Sequence, residues 1–126
     1  MAHFDIPLDL PHAGRLADRI VNLLEKHAEE LGADAEAAID TAERISNLLF
    51  RYSANDENPG GAEAASIRDE AAVLGRQLVD QLETSGVQSD RLGQYVRNFF
   101  ECLELGEEGA QISLRAGENP NSLQRP

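Results

Sequence analysis

The sequence predicts an all-α fold, a single-domain four-helix bundle, and three observations predict it. Apolar residues recur at three- and four-residue spacing through four long stretches, the period of a helix with one buried face. Glycines and short polar clusters separate these stretches, as helix ends require. The 126 residues are 41% apolar, which suits one globular domain able to fold without staples.

Residues 4–10 come first and are not helical in pattern. Phe4, Ile6, Leu8 and Leu10 alternate with Asp5, Pro7 and Asp9, the two-residue period of a short extended or β segment. Pro7 has no N–H to give a ladder, so a strand here would be an edge. The first helix is expected over residues 11–31, with Pro11 in its opening turn and Gly32 as its stop. Ala13, Leu16, Ile20, Leu23, Leu24 and Leu31 share its apolar face, and His27 falls among them.

The second helix is expected over residues 34–52, with Asp34 as N-cap and Glu36 in the first turn, where the helix dipole favours acid. Its main stripe is Ala38, Ala42, Ile45, Leu49 and Tyr52. Ile39, Leu48 and Phe50 widen that arc to about 200°, more than one packing contact needs. This helix is therefore expected to be central in the bundle or to offer a surface to a partner. Residues 53–61, Ser-Ala-Asn-Asp-Glu-Asn-Pro-Gly-Gly, carry turn formers without periodicity and read as a loop. A third helix over residues 62–85 places Ala64, Ile67, Ala71, Leu74, Leu78 and Leu82 on one narrow face, and Gly75 within it marks a close helix approach.

Gly86 ends that helix and Ser89 caps the fourth, residues 89–105. The fourth helix holds Tyr95, Phe99 and Phe100, half of the six aromatics, and the sole cysteine, Cys102. Leu92, Val96, Phe99 and Leu103 form its stripe, so it is expected to be the core's principal donor. Gly106 and Gly109 are candidate stops. Ile112 and Leu114 then alternate with polar neighbours, suggesting a second short strand whose only partner in the chain would be the N-terminal segment. The bundle domain is thus expected to span residues 1–116, with 117–126 as a flexible tail.

Charge narrows the partners. Asp and Glu number 23 against 11 Lys and Arg, for a net charge of −12, and the acids are spread along the chain. Direct binding to a nucleic-acid backbone needs a basic face and is not expected; a protein partner with a basic surface is compatible. No apolar run is long enough to span a bilayer, and the opening residues lack the pattern of a secretory signal. One cysteine forbids an internal disulfide and suits the cytoplasm.

Few residue patterns carry chemistry. His27 could serve as a metal ligand or base only with acidic or histidine partners from other helices. The sequence favours a core-rim histidine bonded to Tyr52 or Tyr95. His27-Ala-Glu-Glu-Leu-Gly-Ala loosely resembles the histidine phosphotransfer motif, but the Lys that follows the exposed His in that family is missing here. Carboxylate pairs stand at Asp40/Glu43, Asp80/Glu83 and Glu101/Glu104. Their spacing resembles the Mg²⁺-holding pairs of all-α nucleoside triphosphate pyrophosphatases, though Asp80/Glu83 and Glu101/Glu104 point away from their own apolar stripes. The Glu-x-x-His of di-iron bundles is absent from the sequence. Cys102 has no basic neighbour on its face to activate it, and is expected to be an apolar filler.

The function expected is therefore a non-catalytic acidic protein-binding module, an adaptor, regulator or inhibitor, with no catalytic residue, cofactor or metal, and free to form a homodimer. Ile39 and Phe50 are the candidate apolar contacts, and Glu101, Glu104, Glu107 and Glu108 the candidate acidic ones. Val73 and Leu105 are further apolar residues beyond what a minimal bundle needs. Two alternatives remain: an inhibitor that mimics nucleic-acid charge in a basic groove, as some phage anti-defence proteins do, and a Mg²⁺-dependent nucleotide pyrophosphatase.

Overall fold

A computed structural model describes residues 8–112 and residue 114. Four long helices make the bundle: α1 (Leu10–Lys26), α3 (Ala35–Asn55), α4 (Gly61–Ser85) and α5 (Asp90–Cys102). Two single-turn helices, α2 (Ala28–Leu31) and α6 (Gly106–Gly109), and a 3₁₀ turn (Gly32–Asp34) join or follow them. α1 lies between α3 and α5, and α4 packs mainly on α3. The predicted all-α bundle is what the chain forms.

Several ends follow the local chemistry read from the sequence. Ser89 accepts the Leu92 N–H at 3.2 Å and caps α5, and Gly86 closes α4 in the left-handed region. α1 begins one residue earlier than expected, because Asp9 rather than the proline turn supplies its cap, accepting the His12 N–H at 3.1 Å. The first predicted helix is broken at His27, whose N–H reaches back to the Leu23 and Leu24 carbonyls. α3 outruns its predicted end and stops only at Asp56, which takes a left-handed φ of 53°.

The fourth helix stops short of prediction, at Cys102. Glu104 adopts φ 66°, the Glu104 N–H bonds the Glu101 carbonyl at 3.1 Å, and the Leu105 N–H bonds the Phe100 carbonyl at 2.9 Å. This is a Schellman ending with a glutamate in the position glycine usually holds. The turn swings Leu105 back against the core, so it is not the surplus surface residue its wheel position suggested. Gly106 and Gly109 do not act as stops; they bound α6. Gly109 is needed for contact, since a Cβ there would come within 2.9 Å of Phe100 Cβ and 3.0 Å of the Arg97 carbonyl oxygen.

The core matches the predicted donor. Leu92, Val96, Phe99, Phe100 and Leu103 are buried, and the two phenyl rings meet edge to face with centroids 5.9 Å apart. They press on Gly75 of α4, where an added Cβ would lie 3.0 Å from Phe99 and 3.2 Å from Phe100. The glycine thus marks a ring-on-backbone contact. Tyr95 is only half-buried, and Ile67 and Leu74 of α4 sit at the core's rim.

The two extended segments do not pair among the described residues, and no strand is found there. Ile112 and Leu114 alternate inward as predicted, but against the bundle. Arg97 bonds the Ile112 carbonyl at 3.0 Å, and the Ser89 N–H bonds the Leu114 carbonyl. The polar groups a ladder would have satisfied are taken by α5 and its cap instead. At the other end, Asn58 of the α3–α4 loop donates to the Leu8 carbonyl at 2.8 Å and accepts the Leu10 N–H at 3.2 Å. The predicted N-terminal alternation over residues 4–7 and the predicted tail, 117–126, lie outside the described residues.

Candidate functional site

The apolar candidates share one line on α3. At about 100° per residue, Ile39, Glu43, Ser46, Asn47 and Phe50 fall on the same face. Glu43, Ser46 and Asn47 line one wall of an open groove of about 560 Å³, and Asp18, Val21 and Asn22 of α1 line the other. Phe50 stands one turn beyond Ser46, at the end where α1 and α3 come closest, and Ile39 stands one turn before Glu43. Ile39 is half-buried against the core, while Phe50 is 63% exposed. Ser46 donates a hydrogen bond to Asp18 and so links the two walls. The two helices approach at Gly14, where a Cβ would lie 2.9 Å from Ser53 Cβ and 3.2 Å from Leu49 Cβ.

The acidic candidates lie elsewhere, along α5 and α6. Glu108 is held by Arg76 of α4 through two bonds, at 2.8 and 2.9 Å, and that guanidinium holds its carboxyl below the usual carboxylate range against the opposing effect of partial burial. Glu104 accepts from Arg68 at 3.1 Å. Glu107 is exposed and Glu101 half-buried. Two of the four predicted contact acids are therefore engaged by arginines of the same chain, which sequence reading missed because the pairs span 32 and 36 residues.

The remaining chemical candidates resolve simply. His27 is 27% exposed and its Nδ1 bonds Glu30, one turn on, in place of either tyrosine expected. Three residues apart, the two side chains are neighbours on the helix surface. Tyr52 instead donates to Glu63 at 2.6 Å; that bond, with burial, raises its hydroxyl pKa. Burial pushes the Cys102 thiol up to about 12, leaving almost no thiolate at neutral pH. Asp40, Glu43, Asp80 and Glu83 are exposed, and Asp40 is bonded to Arg44 at 3.0 Å. Among the described residues no three His, Cys, Asp or Glu side chains converge as metal ligands. No described helix is long and apolar enough to cross a membrane.

Comparison of the chain with protein-family models, with curated proteins and with solved structures returned no match.

Proposed function

We propose that this protein is a non-catalytic protein-binding module, and that the α1–α3 groove receives an amphipathic partner segment with an apolar anchor and basic flanks. The observation that carries the reading is Phe50, exposed on the same face of α3 as Glu43, Ser46 and Asn47 and one turn beyond the groove they line with Asp18. A large aromatic beside a cleft is the anchor type that dominates binding energy at interfaces. Carboxylates on the rim, on a chain of net charge −12, favour a basic partner and hasten its encounter. Charge mimicry of a nucleic acid is the weaker reading, because Glu104 and Glu108 already face Arg68 and Arg76.

Affinity capture with matched variants tests this. A partner retained by the wild type should be lost with Phe50→Asp and weakened with Glu43→Arg. It should persist with Val73→Asp, because Val73 is as exposed as Phe50, at 61%, but lies on α4. Binding should survive moderate salt. Equal loss with Val73→Asp would remove the groove from the account. Binding that collapses steeply with salt and ignores Phe50 would favour the mimic.

A further inference from the structure

Every arginine of the described chain but two has an acidic or carbonyl partner. Arg15 pairs with Asp56, Arg44 with Asp40, Arg51 with Glu63, Arg68 with Asp69 and Glu104, and Arg76 with Glu108, while Arg97 bonds the Ile112 carbonyl. The two exceptions are Arg19 and Arg91, and the sole lysine, Lys26, also has no such partner among the described residues. All three line one concave site of about 140 Å³ between α1 and α5, with Asn22, Leu23 and Tyr95. The site opens at Arg91 and Tyr95 into a wider cleft with Asp90 and Gln94.

On a chain with twice as many acids as bases, three unpaired cations in one groove need a cause. The sequence supplies it. Arg19 has Arg15, Leu16, Asn22 and Leu23 at its helical neighbour positions, and Arg91 has Gln94 and Tyr95; none is an acid. Lys26 would reach Glu30 on a continuous helix, but the break at His27 intervenes and His27 takes that carboxylate.

We infer that the α1–α5 groove binds the phosphate group of a small phosphorylated molecule. Two guanidiniums and an ammonium lining one small site supply the charge and the N–H donors that phosphate oxygens accept. Asn22 adds an amide donor. The Tyr95 hydroxyl, without a bond among the described residues, can donate, and its half-buried ring offers a face to an attached aromatic group. The occupant should be small. The roughly 140 Å³ between the three cations suits a phosphate or diphosphate. An attached group would extend past Tyr95 into the wider cleft, and a longer polyanion would meet Asp90 there. This groove lies on the opposite flank of α1 from the proposed protein contact and does not depend on it.

Titration of the folded protein with inorganic phosphate, pyrophosphate and a nucleoside monophosphate, followed by amide NMR, tests the inference. Saturable shifts should centre on Arg19, Asn22, Lys26, Arg91 and Tyr95. Affinity should fall about tenfold or more with Arg91→Gln or Arg19→Gln, and stay unchanged with Arg44→Gln, which removes a cation outside the groove. Tighter binding of the monophosphate than of phosphate would assign Tyr95 a stacking role, read by its loss in Tyr95→Leu. Absence of saturation, shifts scattered over the surface, or equal weakening by Arg44→Gln would overturn the inference. So would an acidic peptide that binds the groove more tightly than pyrophosphate at the same ionic strength.

Discussion

The two grooves that flank α1 are built from one helix and differ in almost every other respect. On the α3 side the walls carry Asp18 and Glu43, the Ser46–Asp18 bond links them, and an exposed phenyl ring stands one turn further along α3. On the α5 side the walls carry Arg19, Lys26 and Arg91, and the phenyl rings of α5 are buried against Gly75 of α4. Asn22 lies on the ridge between and lines both. The net charge of −12 describes neither side. What matters for recognition is the local field, which is set by which charges lack partners.

The largest test of this contrast exchanges phenyl for methyl on each side. Phe99→Ala should cost about 3–5 kcal/mol, because it empties a packed site beside Gly75. Phe50→Ala should change stability by less than about 0.5 kcal/mol while weakening partner capture. Chemical denaturation measures both. A Phe50→Ala loss as large as that of Phe99→Ala would make the α3 ring part of the core and sink the docking reading.

A smaller effect is expected at the helix crossing that sets the acidic groove's width. Gly14→Ala gains about 1 kcal/mol of helix propensity, yet its methyl would press on the Cβ atoms of Ser53 and Leu49. A net loss of about 1 kcal/mol is expected, since overpacking costs about 1–3 kcal/mol. The groove should open at the same time, visible as amide shifts at Asp18 and Ser46. Phosphate binding on the α5 side should not move. A shift in both would mean the two grooves are coupled through α1.

The smallest effect compares a paired with an unpaired arginine. Arg76→Gln should cost about 0.5–1 kcal/mol at neutral pH, the scale of an exposed ion pair with good geometry, whereas Arg91→Gln should be close to neutral. Glu108 has a lowered pKa when folded, so its contribution is present above the ordinary carboxylate value, about 4.3, and is lost as pH falls through the depressed one. Wild type and Arg91→Gln should therefore lose stability below about pH 4.3 more steeply than Arg76→Gln does. Parallel acid profiles for all three would show that the Arg76–Glu108 pair adds nothing.

Most of the helical frame was legible in the residues alone. Ser89, Gly86 and the loop of Asn58 and Pro59 mark ends by local chemistry, and the stripe of Leu92, Val96, Phe99 and Leu103 declares its burial through period alone. Phe50 was visible as surplus for the same reason: its angle on the helix lies outside the arc that packing needs. The groove beside it was not visible, because Asp18, Val21 and Asn22 belong to another helix whose register is set by Gly14 against Ser53. Half of the cationic site was present as Arg19, Asn22 and Lys26 at i, i+3 and i+7. Its other half, Arg91 and Tyr95, arrives only when α5 packs on α1.

By itself, then, the sequence determined the all-α class, the positions of the long helices to within a few residues apart from the break at His27, the core stripe of α5 and the apolar excess of α3. These are consequences of periodicity and capping, which act within one or two turns. Only the tertiary structure decided that Ile112 and Leu114 pack on the bundle beside α5, with no ladder among the described residues, and that Glu104 and Glu108 meet arginines of α4. It alone brought together, on one flank of α1, three cations without partners among the described residues. Hydrogen bonds, ion pairs and grooves between distant segments depend on the relative placement of helices, which one-dimensional spacing does not encode.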